Sequence, residues 1–173
     1  SGTNLFSLTN RYGVGTYGVK LTVRNGIGET DSLVKEPYLH IAPSDIYVAT
    51  NGNHTLGTNW ATAYRDIQSA LNVALSNSTL HLAGHTFGLA TRLSWSGKPN
   101  LTLRGGYQGV GPARPGPWDP AQWPTIIART SGSTRLMIIN QISTGRMEHV
   151  TLTGGYVYDH GAGIRISDSR VTL

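Results

Sequence analysis

No cysteine occurs in the 173 residues, which excludes a disulfide framework and every thiolate metal site. Charge is scarce as well. Asp, Glu, Lys and Arg make up 13% of the chain, too little for a solvated helical bundle or a disordered tail. No apolar run approaches the ~18 residues of a membrane-spanning helix. Ser1 to Asn10 has neither the basic start nor the apolar stretch of a signal peptide. What is abundant is glycine, 22 residues, set with Thr, Ser and Asn between short apolar runs. That composition fits an all-β chain of short strands joined by many turns.

The net charge is +5, and the arginines that dominate it are scattered singly, as at Arg92, Arg104, Arg114 and Arg129. A nucleic-acid footprint is a clustered stripe with stacking aromatics, so no nucleic-acid partner is expected. The scattered cations read as solvated strand and turn residues with a weak pull on acidic polysaccharide.

Residues 1–43 read as strands. Val19, Leu21 and Val23 alternate with Lys20, Thr22 and Arg24, the period of a half-buried strand. Asn25-Gly26, with Gly28 close behind, is a hairpin turn signal. Further strands are expected over Asp31–Val34 and Tyr38–Ile41, ended by Pro43. Tyr12, Gly15-Thr16-Tyr17, the run Val19–Asn25 and Gly28 together resemble the second half of a PKD domain. The resemblance implies part of a small immunoglobulin-like β-sandwich over residues 1–43, a module that extracellular proteins use as a spacer. The family's first-half Trp-Asp-Phe-Gly-Asp-Gly signature is absent, so the sequence is expected to open inside that domain.

A domain boundary is expected at Pro43 to Ile46, with residues 44–173 forming the second domain. Ile46–Thr50 reads as a strand. Residues 62–75 carry the one helical pattern, with Thr62 as N-cap, Asp66 in the first turns where the dipole favours an acid, and Ile67, Ala70, Leu71, Ala74 and Leu75 on one face. Short strands then return at Leu80–Leu82, Leu101–Leu103, Thr125–Ile127, Leu136–Ile139, Val150–Leu152 and Val171–Leu173, interrupted by a Pro/Gly-rich excursion at Gly109–Pro117. Leu80 and Leu101 stand 21 residues apart, as do Val150 and Val171, and Asn100–Tyr107 echoes His149–Tyr156. Such a period marks a solenoid, whose repeats bury their apolar strand residues only by stacking. Leu80, Leu82, Leu101, Leu103, Val150, Leu152, Ile164 and Ile166 are expected to point inward. The helix is expected to cap the first coil with Trp60 beside it.

Tyr47-Val48-Ala49, Trp60–Tyr64, Ile67–Leu71 and Leu80–Gly84 resemble the start of right-handed parallel β-helix proteins of the pectate-lyase-like superfamily, many of them bacterial surface proteins. Asn100–Tyr107, Trp118-Asp119-Pro120, Trp123–Ile127 and Gly161–Leu173 continue the likeness. The resemblance covers residues 46–173 and implies an extracellular or cell-surface location. It is shared by lyases, adhesins and proteins with no reaction. Val171–Leu173 reads as a core strand, so the chain is expected to be incomplete at both ends and to associate when alone.

Catalytic chemistry has few candidates. Hydrolysis of a glycosidic bond uses two carboxylates a few ångströms apart. Beyond the helix the only acids are Asp119, Glu148, Asp159 and Asp168. Asp119 sits in a Trp-Asp-Pro turn, where Asp binds its own backbone, and Glu148 reads as a surface residue. Asp159, His160 and Asp168 lie in turns near Arg165 and Arg170, the one grouping that could contact a ligand or Ca²⁺ beside a basic residue. Ca²⁺ takes 6 to 8 oxygens, more than two acids supply, so no catalytic residue and no resident cofactor are assigned. His81 and His85 are four apart on a segment that reads as strand and turn, and too few for zinc. The sequence thus leads to a non-catalytic adhesin or scaffold that meets polysaccharide or cell-surface glycan. The alternative is the opening part of a polysaccharide lyase or glycoside hydrolase whose catalytic coils lie downstream.

Overall fold

In a computed structural model the described residues are 11–158 and 160–173. The chain divides between Ala42 and Pro43 into two compact units, each described by itself.

In the first unit, the described residues form one antiparallel hairpin, β1 (Gly15–Arg24) with β2 (Thr30–Ile41). The turn is built by Asn25, whose Oδ1 accepts from the Ile27 and Glu29 amides at 3.1 and 2.9 Å. Two strands expected over residues 31–41 are one continuous strand, because β2 pairs with β1 along its length through a register shift at Tyr17/Val19. Leu21 faces Leu33 in the pairing, and both remain more than half exposed.

The second unit is a β-solenoid. Its strands are β3 (Asp45–Val48), β4 (Thr79–Ala83), β5 (Thr86–Leu89), β6 (Leu93–Ser96), β7 (Leu101–Tyr107), β8 (Thr125–Arg129), β9 (Met137–Asn140), β10 (Gly145–Glu148), β11 (Val150–Thr153), β12 (Ile164–Ser167) and β13 (Val171–Thr172). They stack as three parallel sheets: the first β3-β4-β7-β10-β13, the second β5-β8-β11, the third β6-β9-β12. Each coil visits the sheets in turn. Alternation along every strand sends one side chain in and the next out, so stacking converts short apolar runs into interior columns. Ile46, Leu80, Leu103 and Met147 form one column, Phe87, Ile127 and Leu152 a second, Leu93, Met137 and Ile164 a third, and Trp95, Ile139 and Ile166 a fourth. The expected inward register holds for Leu80, Leu82, Leu101 and Leu103, all fully buried, and for Val150, Leu152 and Ile164, which pack against the core. Ile166 continues its column but is 39% exposed, having no coil above it among the described residues.

The coil spacing departs from 21 residues. Leu80 pairs with Leu103, not Leu101, and Val150 and Val171 lie in different sheets. The echo of Asn100–Tyr107 in His149–Tyr156 therefore joins β7 of the first sheet to β11 of the second. Both segments begin at a left-handed residue, φ 58° at Asn100 and φ 56° at His149, and enter an inward–outward–inward strand. The likeness reflects a shared corner conformation and not stacking.

The helix α1 spans Ile67–Val73, shorter than the expected 62–75. Asp66 is the N-cap, with Oδ1 accepting from the Ser69 amide at 2.7 Å. Thr62 is held upstream in a turn in which its Oγ1 accepts from the Thr58 and Asn59 amides at 3.1 and 3.2 Å, so its side chain is unavailable as a cap. Ile67, Ala70, Leu71 and Ala74 close the interior beneath Ile46 and Val48, as a solenoid cap should, while Leu75 is exposed. Lys98 Nζ donates to the helix-terminal carbonyls of Leu71 and Asn72, and burial holds its pKa below the ordinary lysine value. Trp60 does not join the helix. It packs with Tyr47, Ala49, Ala63, Ala83 and Tyr107 on the outer face of the first sheet.

Candidate functional site

Two loops lie over the outer face of the first sheet: residues 50–64, after β3, and the Pro/Gly-rich excursion, 108–118, after β7. Beneath them, the outward side chains Tyr47, His81, Arg104 and Glu148 stand in one row across four coils, in register with one another. A second outward row holds Asp45, Thr79, Thr102, Arg146 and Thr172.

At the N-terminal end of these rows His81 is 5% exposed, stacked on Tyr47 at 5.2 Å and met edge-on by Tyr107 at 5.0 Å. Its Nε2 lies 2.8 Å from Asp45 Oδ1. That bond holds the Asp45 pKa below the usual carboxylate value, with a second bond from Ser44 acting the same way. Burial pushes the His81 pKa down despite Asp45, and nearby Arg104 adds to the effect. The imidazole is therefore neutral near pH 7, with Nε2–H donating to the ionised Asp45. The ring is enclosed between two tyrosines, and its bond to Asp45 ties β3 to β4.

This pair gives the solenoid an acid-sensitive joint. As pH falls through 6.5, the unfolded chain protonates His81 while the folded chain does not, so stability declines toward the depressed folded pKa. His85, depressed by burial, acts in the same direction. Asp45 extends the loss at lower pH, its contribution being present above 3.8 and lost as pH falls through its folded value. Thermal melts of the chain from about pH 7.5 to 5 should show a steady decline, and His81→Gln should make that decline shallower. An unchanged slope in the variant would contradict this account of the joint.

Along the sheet the surface opens. Arg114 stands between two clefts. One, of about 530 Å³, is lined by Asn51, Asn59, Trp60, Gly109, Val110 and Arg114 among others. The other, of about 380 Å³, is lined by Asp45, Tyr47, Thr58, Arg114 and Pro115 with Pro43 and Ser44. The Trp60 indole N–H anchors the excursion by donating to the Pro115 carbonyl at 2.9 Å. Beyond the clefts, Trp118 is pinned by its indole N–H to the Gly105 carbonyl at 2.9 Å, yet remains 39% exposed. The Arg104 guanidinium lies over its ring at 4.4 Å and His149 meets it edge-on at 5.0 Å. Glu148 is held between Arg104 at 3.2 Å and Arg146 at 2.8 Å, which commits its carboxylate to ion pairs.

The residues singled out from sequence lie elsewhere. Asp168 occupies the left-handed position of the turn after β12, φ 48°, stacked above Gln141 at φ 55° and Gly97 at φ 64° on the two preceding coils. It serves the corner of the coil. His160 lines a small cleft with Gly161, Ile164 and Arg165, away from the first sheet. Asp159 lies outside the described residues. Among the described residues no group of three or more His, Asp or Glu converges as a metal site requires. Asp119 behaves as its turn predicts, accepting from the Ala121 amide at 2.9 Å. Arg114 and Trp118 were not singled out as site residues, and the one sequence signal for them is the irregular excursion itself, since loops laid over a rigid scaffold carry function disproportionately. No protein-family model matches this chain, and no curated protein or solved structure matches it either.

Proposed function

We propose that the chain is part of an extracellular modular surface protein, a right-handed parallel β-helix preceded by the end of a PKD-like sandwich, that binds glycan without acting on it chemically. The single observation that carries this reading is the cleft between the two loops over the first sheet. It is concave, sits on a rigid sheet, and offers two amides and a guanidinium, the donors and acceptors that a sugar's hydroxyl and carboxylate groups use. Trp118 supplies an exposed aromatic surface on the same face, of the kind against which sugar rings pack. Binding is favoured over catalysis because, among the described residues, Asp45 is the only carboxylate lining either cleft, and it is bonded to His81 and Ser44. An acid–base pair for glycosidic cleavage needs a second.

The test is affinity electrophoresis in gels containing polygalacturonate or a neutral glucan. The chain should be retarded by polygalacturonate, and Arg114→Ala and Trp118→Ala should each weaken retardation by about tenfold, the loss expected for one charge-assisted or stacking contact. Absence of retardation, or retardation untouched by both variants, would remove this reading. Release of unsaturated oligosaccharides from polygalacturonate with added Ca²⁺ would replace it with a lyase.

A further inference from the structure

Arg114 stands between two clefts over the first sheet, and the smaller, of about 380 Å³, has a chemistry of its own. Its lining includes a carboxylate, Asp45, as well as the Arg114 guanidinium. Asp45 opens β3 and pairs with Thr79 of β4, so the sheet fixes its position. Each of its carboxylate oxygens has one partner in the protein. Oδ1 lies 2.8 Å from His81 Nε2, and Oδ2 accepts from the Ser44 hydroxyl at 2.9 Å. An ionised carboxylate has about four acceptor positions, so about half remain open. The side chain is 55% exposed, which leaves those positions accessible from the cleft. The His81 bond, with Ser44 adding to it, also holds the Asp45 pKa down and keeps the group charged. Asp45 is thus an oriented, permanent anion in a concave wall.

Arg114 is exposed and forms no hydrogen bond or ion pair with a described residue. The two opposite charges therefore line one cleft without pairing with each other. The Tyr47 phenol, in the same lining, stands in the field of both. Burial is the main cause that raises its pKa, the Asp45 charge raises it further, and the Arg114 charge lowers it. Opposite charges held apart in this way complement a ligand that carries the reversed pair. Arg114 also lines the larger cleft with the Asn51 and Asn59 amides, so one saccharide chain can pass along it from one cleft to the other.

We propose that the two clefts together take a zwitterionic glycan, with an amino sugar's ammonium on Asp45 and a neighbouring uronate's carboxylate on Arg114. This assignment rests on glycan binding at Arg114 and adds the charge pattern that the glycan carries.

The intact chain is titrated calorimetrically at neutral pH, below the ordinary range of an amine, so that the sugar ammonium is charged. Three oligosaccharides are compared. N-deacetylated hyaluronan alternates free amines with uronates, its N-acetylated parent keeps the uronates alone, and oligogalacturonate reports glycan binding by itself. The N-deacetylated form should bind about tenfold more tightly than its parent, the gain of one charge-assisted contact. That preference should shrink as salt rises. Asp45→Asn keeps the side chain's shape and an acceptor for His81, and should erase the preference, with unchanged circular dichroism as the check on the fold. Arg114→Ala should weaken binding of both hyaluronan forms. Tetralysine, which offers ammonium groups without sugar hydroxyls, should not bind. Equal binding of the two hyaluronan forms, binding of oligogalacturonate alone, or a preference that survives Asp45→Asn would overturn the zwitterion assignment and leave glycan binding standing. Tetralysine bound as tightly as the N-deacetylated form would overturn it in favour of a basic peptide. Binding of none of the three saccharides would remove glycan binding and this assignment together.

Discussion

Replacing Trp95 with alanine is expected to destabilise the solenoid by about 3–5 kcal/mol, the range for removing a large buried aromatic. Trp95 is 1% exposed and occupies the interior column with Ile139 and Ile166. The coil above is shaped around it. A Cβ on Gly145 would meet the Trp95 ring at 2.8 Å, so glycine is the residue that lets β10 close over the indole. Truncation would leave a void bounded by strands of three coils, each held by backbone pairing and unable to collapse inward. The Trp95 N–H bond to the Lys98 carbonyl, at 3.3 Å, would go with it, loosening the segment whose lysine ties the helix end. Since a domain is stable by only about 5–15 kcal/mol, chemical denaturation should show a large drop in midpoint. A change under about 1 kcal/mol, the size of a surface substitution, would mean that Trp95 is not enclosed.

Gly105→Ala is expected to cost about 3 kcal/mol or more, at or beyond the upper end of ordinary overpacking. At this corner a Cβ would stand 2.2 Å from the His149 carbonyl oxygen and 2.8 Å from Thr125 Cβ and Oγ1, so backbone would have to move. Thr125 is the buried pin of the corner: its hydroxyl accepts from the Gly106 amide at 3.0 Å and donates to the Ala83 carbonyl at 2.9 Å. Displacing it would unseat two coils at once. The Gly105 carbonyl also receives the Trp118 indole N–H. The substitution should therefore shift Trp118 fluorescence and weaken polygalacturonate binding along with stability. Wild-type stability and emission together would contradict the close approach.

Strand identity was legible because period-2 alternation is local. Leu101-Thr102-Leu103 carries its own inside and outside. Register was not legible, because it depends on corners. The bulge between His81 and Ala83 and the insertion after β7 set each coil's length independently of the strand pattern. The repeated Gly-Gly-Tyr segments misled for a physical reason: two corners of similar backbone conformation can feed two different sheets. Amphipathicity placed a helix as the cap but could not say that Thr62 is taken up by the turn with Asn59. Nor could it say that Trp60 covers the outside of the sheet and not its inside. The candidate surface was the least legible part. Tyr47, His81, Arg104 and Glu148 become neighbours only through stacking, so no sequence spacing announces them. Arg114 and Trp118 lie on an excursion whose length and direction a periodic pattern does not encode.

The stacking of coils in this register is directly measurable, because the chain has no cysteine. Thr102 and Arg146 are outward-facing partners on β7 and β10. Adjacent strands bring Cα atoms to about 4.8 Å, within the span of a disulfide. Thr151 and Thr172 are separated by the 21 residues of the sequence echo but lie in the second and first sheets. Each pair is converted to cysteine in the intact chain and oxidised mildly, and intramolecular bonds are scored by mass spectrometry. The stacking described above predicts rapid closure of Thr102→Cys with Arg146→Cys and none of Thr151→Cys with Thr172→Cys. Closure of the second pair and not the first would contradict it.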